Sequence, residues 1–178
     1  MARGSCRKRH EDVKMEHLDF LSPDLAAPEA RWASPLARAL AHAPQSFEDL
    51  SRTGLLEVRG ELDGLDAGDA EVVRLAPGRA LVLCPLKEAG RLRTRLAGTR
   101  RLVVDLSAGW AGLGVEGETL LRRLTDLDLD TLPAAGIVAH VHALVLRDEG
   151  ERFRLYFPQE YGHSVAEAAV DAAEGLGA

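Results

Sequence analysis

At 178 residues, with 46% apolar and 28% charged positions, the chain has the length and composition of one globular domain or of two small subdomains sharing a core. Aromatic residues make up only 4% and the formal net charge is −6, which disfavours both a base-stacking surface and nonspecific phosphate binding. The charge is uneven: Met1 to Lys14 holds five Lys or Arg against two acids, leaving 17 basic and 26 acidic residues, a balance of −9, for the remainder.

The chain begins with the basic run Arg3-Gly4-Ser5-Cys6-Arg7-Lys8-Arg9-His10. A localisation or nucleic-acid patch is one reading; a disordered N-terminus with Met15 as the start is preferred. Glu11-Asp12 follows where a secretory signal would need an apolar run, and no stretch of about 18 apolar residues is present. Cys6 and Cys84 imply no disulfide framework. These features predict a soluble cytoplasmic protein without nucleic-acid or membrane partners. Residues 15–46 are rich in Ala and Pro, with one short amphipathic candidate at Pro35–His42, so residues 1–46 are read as a partly disordered N-terminal arm.

Residues 47–178 read as one domain built from two repeats, 47–100 and 101–176. Asp49-Leu50-Ser51 opens DLSRTGLLEVRGE, and Asp105-Leu106-Ser107 opens DLSAGWAGLGVEGE. Each copy later supplies an apolar strand that runs into a proline and on into a helix, Leu81–Pro85 in the first and Leu155–Pro158 in the second. Such a duplication buries its core between the copies.

In the first copy the pattern predicts a strand at Gly54–Arg59, a polar turn region at Gly60–Asp69 with room for a short helix, and a hairpin at Glu71–Cys84 turning at Ala76-Pro77-Gly78-Arg79. A helix follows from Pro85 through Leu86, Ala89, Leu92 and Leu96, with Gly98 as its cap. The second copy predicts a connecting strand at Arg101–Leu106, a strand at Trp110–Val115 and a helix near Glu118–Leu127. One uninterrupted strand at Gly136–Arg147 follows, then a strand at Glu151–Phe157 and a helix from Tyr161 to Glu174, ending at Gly175. Each copy is roughly β-α-β-β-α, and the fold class is α+β, with mainly antiparallel sheet and helices packed on it.

Gly112-Leu113-Gly114-Val115-Glu116-Gly117 matches a dinucleotide fingerprint, but the glycines align with the interior of the first copy's strand, Leu55-Leu56-Glu57-Val58, and are read as small residues admitting a close neighbour. Asp126, Asp128 and Asp130 alternate as in a calcium loop but lack its glycine and closing glutamate, so Leu127 and Leu129 are read as core anchors. His140 and His142 are two apart on a strand and so share a face, which begins a metal site, yet no Cys or acidic third ligand is near, and they are read as half-buried, hydrogen-bonded histidines. His163, beside Tyr161, is read as helix-cap packing. Cys84 lies in an apolar strand without a base. The residues thus assign no catalytic position and no metal ligand, and they leave any cofactor-binding position undetermined.

With these segments in view, the stretch from Val103 to Ala173 resembles the aminomethyltransferase-like family, which includes the T-protein of glycine cleavage, related folate-binding proteins and the gamma subunit of heterotetrameric sarcosine oxidase. FEDLSRTGLLEVRG is similar to the family's opening strand, and the likeness covers residues 47–175. It implies a fold like the family's folate-binding domain. After Leu124-Thr125-Asp126-Leu127-Asp128 the T-protein carries a glycine-containing turn and a catalytic aspartate. Here the continuous strand expected at Gly136–Arg147 has no acid inside it. The T-protein's C-terminal domain and the Lys-Gly-Cys signature of a related branch also lack counterparts.

What the resemblance then implies is a gamma-like, noncatalytic scaffold subunit of a sarcosine oxidase-type complex that demethylates a secondary amine oxidatively. It implies no cofactor in this chain, with flavin and tetrahydrofolate on larger flavoprotein and folate-binding partner chains. A freestanding folate or one-carbon binding module is the alternative, and a small enzyme using His140, His142 or His163 is a third reading.

Overall fold

A computed structural model describes residues 33–177. The basic N-terminal run, Cys6 and Met15 lie outside the described residues. Among the described residues nine strands form two antiparallel sheets: β1 (Phe47–Asp49), β2 (Thr53–Gly60), β3 (Glu71–Ala76), β4 (Arg79–Pro85), β5 (Arg101–Asp105), β6 (Trp110–Glu116), β7 (Ala134–Val138), β8 (Val141–Arg147) and β9 (Arg152–Pro158). Three helices accompany them: α1 (Ala89–Leu96), α2 (Glu118–Leu124) and α3 (Gly162–Glu174). The class is α+β, as the hydrophobic periodicity predicts.

The sheets run β3-β4-β2-β5 and β1-β6-β9-β8-β7. Strand alternation divides the apolar side chains into three layers of contact. Leu56 and Val58 pack with Ala80, Val82 and Cys84 under Ala89, Leu92 and Leu96 of α1. Their alternates, Leu55, Leu81 and Leu83, meet Leu144, Leu146 and Tyr156 from the other sheet. On the far side Leu113, Phe153, Leu155 and Phe157 pack against Leu120, Leu121 and Val165, Ala166, Ala169 of α2 and α3. The order is therefore α1, sheet, sheet, α2 with α3. Phe153, Phe157, Leu113 and Leu121 are fully buried, each contributing about 1.5–3 kcal/mol of transfer free energy.

The two copies repeat at atomic detail. The Ser51 N–H donates to Asp49 Oδ1 and the Ser107 N–H to Asp105 Oδ1, both at 3.0 Å. The proline landmarks match as well: the Leu86 N–H donates to the Arg52 carbonyl at 3.2 Å, and the Gln159 N–H to the Gly109 carbonyl at 2.9 Å. The shared Val-x-Gly-Glu ending places Gly60 at φ 116° and Gly117 at φ 107°, a region closed to other L-residues.

The lead strands are exchanged. β1 precedes β2 in the chain but pairs with β6, Glu48 opposite Gly114, whereas β5 precedes β6 but pairs with β2, Val104 opposite Glu57. Each Asp-Leu-Ser segment is the crossing between sheets. The Leu50 N–H donates to the Gly112 carbonyl and the Leu106 N–H to the Leu55 carbonyl, both at 2.8 Å.

Several local expectations are corrected. Pro35–His42 is a turn with a single 3-10 turn at Leu40–His42, although Leu36 is fully buried. Residues 61–70 form turns and no helix, so α2 has no counterpart in the first copy. The helix expected over Glu118–Leu127 stops at Leu124, because Thr125 turns extended and its Oγ1 donates to the Ile137 carbonyl at 2.6 Å. α1 ends on extended Ala97 and not on Gly98, and Gly175 follows α3 with φ −66°, outside the left-handed region.

The most consequential correction concerns Gly136–Arg147, which is not one strand. Ala139 (φ 47°) and His140 (φ 67°) form a two-residue hairpin turn between β7 and β8, closed by Val138 opposite Val141. Such turns favour Asn and Gly, and neither is present to announce it.

A close approach at β6 gives the first test. A Cβ on Gly112 would lie 2.9 Å from the Leu50 carbonyl oxygen and 2.9 Å from Tyr156 Cε1, whereas one on Gly90 in α1 would meet nothing within 4 Å. Gly112→Ala is expected to cost about 1–3 kcal/mol in urea unfolding, and Gly90→Ala to gain about 0.5–1 kcal/mol.

Candidate functional site

The hairpin turn separates the histidines that a continuous strand would place together. His140 is exposed at the turn, on the rim of a cavity of ≈ 660 Å³ that Arg122, Arg123, Thr125 and Asp126 also line. His142 lies in β8 opposite Ile137, and His163 in the first turn of α3, its Nδ1 buried and without a hydrogen-bond partner among the described residues. Among the described residues no group of three His, Cys, Asp or Glu side chains is placed to hold a metal ion.

The alternating aspartates serve local structure. Asp128 Oδ1 accepts the Asp130 N–H at 3.1 Å, and Leu129 is fully buried. Leu127 covers Gly136, where a Cβ would lie 2.5 Å from its Cδ2. Gly112 and Gly114 sit inside antiparallel β6, where a Cβ would crowd Leu50 and Glu48 of the exchanged segment. The glycines make room for a crossing strand, not for a pyrophosphate.

Cys84 is buried, with its Sγ 3.9 Å from the Gly54 carbonyl, and burial first, then the charges of Glu88 and Asp105, push the thiol's pKa up. A protonated, enclosed thiol is a poor nucleophile. Thr94, Thr125, Thr131 and Ser164 donate to backbone carbonyls and not to a base.

The strongest charge arrangement lies between the sheets, at residues that no motif marked. Glu57 is 3% exposed and accepts hydrogen bonds from Arg59 at 2.9 Å and from Arg79 at 2.5 Å. Burial alone would raise its pKa, but the two guanidinium hydrogen bonds and charges hold it below the usual carboxylate value. Across the interface Arg154 of β9 forms a two-pronged pair with Glu71 of β3, at 2.8 and 2.9 Å, and a further bond to Asp148. Tyr156 is held beside it: burial raises the phenol's pKa, against hydrogen bonds with Thr53 and Arg154. Glu57 joins β2 to β4 within one sheet, whereas Arg154 and Tyr156 of β9 reach across to Glu71 of β3 and Thr53 of β2. A saturated carboxylate, a chelated guanidinium and an un-ionised phenol are not poised for proton or group transfer. The sequence signal for Glu57 was an acid inside the apolar run Leu55-Leu56-Glu57-Val58, with Arg59 two residues on and so on the same face.

With this geometry described, the chain can be set beside known proteins. No protein-family model and no curated protein sequence matches it. Among solved structures, a chain of the heterotetrameric sarcosine oxidase from Corynebacterium sp. U-96 in complex with pyrrole 2-carboxylate is similar, with a TM-score of 0.66 and 19% identity over 83% of this chain and 97% of that one. The fold is aminomethyltransferase-like. Glycine cleavage system aminomethyltransferase T from Bartonella henselae is similar with a TM-score of 0.54 and 18% identity over 86% of this chain, which spans 55% of that enzyme's length. At these identities the likeness is one of fold. The turn that interrupts the expected strand brings no acid with it, since its two residues are Ala139 and His140. Among the described residues no helix is long and apolar enough to cross a membrane.

Two expectations follow from the site. Because the folded pKa of Glu57 is lowered, its stabilisation is complete above the ordinary carboxylate value near pH 4 and is lost as pH falls through the folded value. Glu57→Gln should therefore cost about 1–3 kcal/mol at neutral pH. In denaturant unfolding from pH 7 to 3, the gap to wild type should close at the acid end. His140→Gly removes a side chain from a left-handed position and should gain about 1 kcal/mol in the same assay.

Proposed function

We propose that the chain is a noncatalytic, gamma-like subunit of a sarcosine oxidase-type complex. In this reading it docks on larger chains that carry flavin and tetrahydrofolate and that together demethylate a secondary amine oxidatively. The observation that carries the proposal is the match in extent: this fold covers 97% of a chain from a heterotetrameric sarcosine oxidase but only 55% of the aminomethyltransferase. The state of the polar groups supports it. Glu57 is saturated by Arg59 and Arg79, Arg154 by Glu71 and Asp148, and the Cys84 thiol is enclosed.

Co-expression with the affinity-tagged flavoprotein and folate-binding chains of such a complex, followed by purification, tests the proposal. The chain should co-purify in fixed ratio and should not raise turnover by itself. Emergence as a lone monomer with saturable tetrahydrofolate binding would favour a freestanding folate-binding module instead. In that case saturating ligand at 100 times Kd would stabilise the chain by about 2.7 kcal/mol.

A further inference from the structure

The two copies place equivalent helices on opposite outer layers, yet these helices carry opposite charge. α1 has the sequence AGRLRTRL, with Ala89, Leu92 and Leu96 buried and Arg91, Arg93 and Arg95 exposed, and contains no acid. α3, which follows the second proline landmark as α1 follows the first, carries Glu167, Asp171 and Glu174 and no Lys or Arg. The 3-10 turn entering α1, Leu86–Glu88, adds exposed Lys87 and a single acid, Glu88.

Helix stability accounts for only part of this pattern. Arg93 and Arg95 lie in the last turn, where the helix dipole favours cations. Lys87 and Arg91 lie at the opposite end, where the same dipole disfavours them. Nor are the arginines ion-paired within the molecule: Arg59, Arg79, Arg100, Arg122, Arg147, Arg152 and Arg154 have carboxylate partners, whereas among the described residues Arg91, Arg93 and Arg95 form no ion pair. Among the described residues Arg38, Arg74, Arg101 and Arg123 form none either, but they are dispersed over separate elements, while the α1 arginines share one helix. Leu86, at the start of the same segment, is a large apolar side chain left 38% exposed. An exposed leucine among arginines on an otherwise acidic chain has the composition of a protein interface.

We infer that the outer face of α1, with Leu86 and Lys87, docks an acidic surface of a larger partner chain. This inference rests on the accessory-subunit reading and names the face and chemistry that reading leaves open. Charge complementarity favours a protein over nucleic acid, because the remaining surface would repel a polyanion.

The test compares Lys87→Glu/Arg91→Glu/Arg93→Glu with a neutral Lys87→Ser/Arg91→Gln/Arg93→Gln variant and with Glu167→Lys/Asp171→Lys on α3. Each is presented as the full chain to the tagged flavoprotein and folate-binding chains. Arg95 is left intact because its guanidinium covers Gly68. At low salt the reversed variant should associate at least about tenfold more slowly than wild type, with the neutral variant between them. The α3 variant should be unaffected, and the difference should vanish in high salt, with all melting temperatures comparable. Reversed and wild-type chains binding with one rate and salt profile would overturn the inference while leaving the subunit reading intact, as would loss confined to the α3 variant. Charge-dependent binding of a duplex oligonucleotide in place of the protein chains would overturn it too. Failure of wild type to bind the large chains would remove the subunit reading and this inference together.

Discussion

The structure depends on the exchange of lead strands between its two copies. In each Asp-Leu-Ser segment the Asp carboxylate accepts the serine N–H, and the chain turns there from a lead strand paired in the other copy's sheet to a strand of its own. The leucine of each segment then docks by its backbone on the partner copy, Leu50 on Gly112 and Leu106 on Leu55. Neither sheet is complete without a strand from the other half, so the halves are interlocked and not merely stacked. The glycines of β6 follow from this constraint, since Gly112 and Gly114 are where the crossing segment comes closest.

Within that frame the copies have diverged in charge while keeping their geometry. The arginine that opens the strand before each proline, Arg79 and Arg152, pairs with a carboxylate in both copies. The acid is Glu57 on the central strand in the first and Glu48 on the exchanged lead strand in the second. Where the first copy holds a buried glutamate, the second has Gly114 and takes its acid from β1. The pair that spans the sheets is a different one, Arg154 of the second copy with Glu71 of the first. On that frame the outer helices of the two copies, α1 and α3, carry opposite charge.

Much of this was legible in the residues. Elements with strong periodicity, such as the strand at Arg79–Pro85, fall where their apolar spacing places them, because burial on one face leaves little freedom of register. The helix expected from Pro85 enters through a 3-10 turn at Leu86–Glu88 and is α-helical only from Ala89. The repeat itself was visible, and so was the use of the β6 glycines as clearance. The exchange was not, because a strand's own residues do not encode its neighbour: Phe47–Asp49 has the same local pattern whether it pairs with β2 or with β6. The β7–β8 turn was hidden for a different reason. Ala139 and His140 adopt left-handed backbone geometry without the Gly or Asn that usually signals it, so tertiary closure, including the Ala139 N–H bond to the Leu124 carbonyl at 2.8 Å, overrides local preference. For Glu57 the local pattern shows only the acid and Arg59; its second partner, Arg79, is distant in sequence and adjacent only across the β2–β4 ladder.

The exchange can be tested most directly by dividing the chain between the copies, in the loop at Gly98–Arg100. The two fragments would be followed by circular dichroism and size-exclusion chromatography, separately and mixed. If each sheet requires its lead strand from the other half, neither fragment should show a cooperative thermal transition alone. The equimolar mixture should recover one transition and a heterodimer of the full mass. Either fragment folding cooperatively alone, with no gain on mixing, would contradict the account.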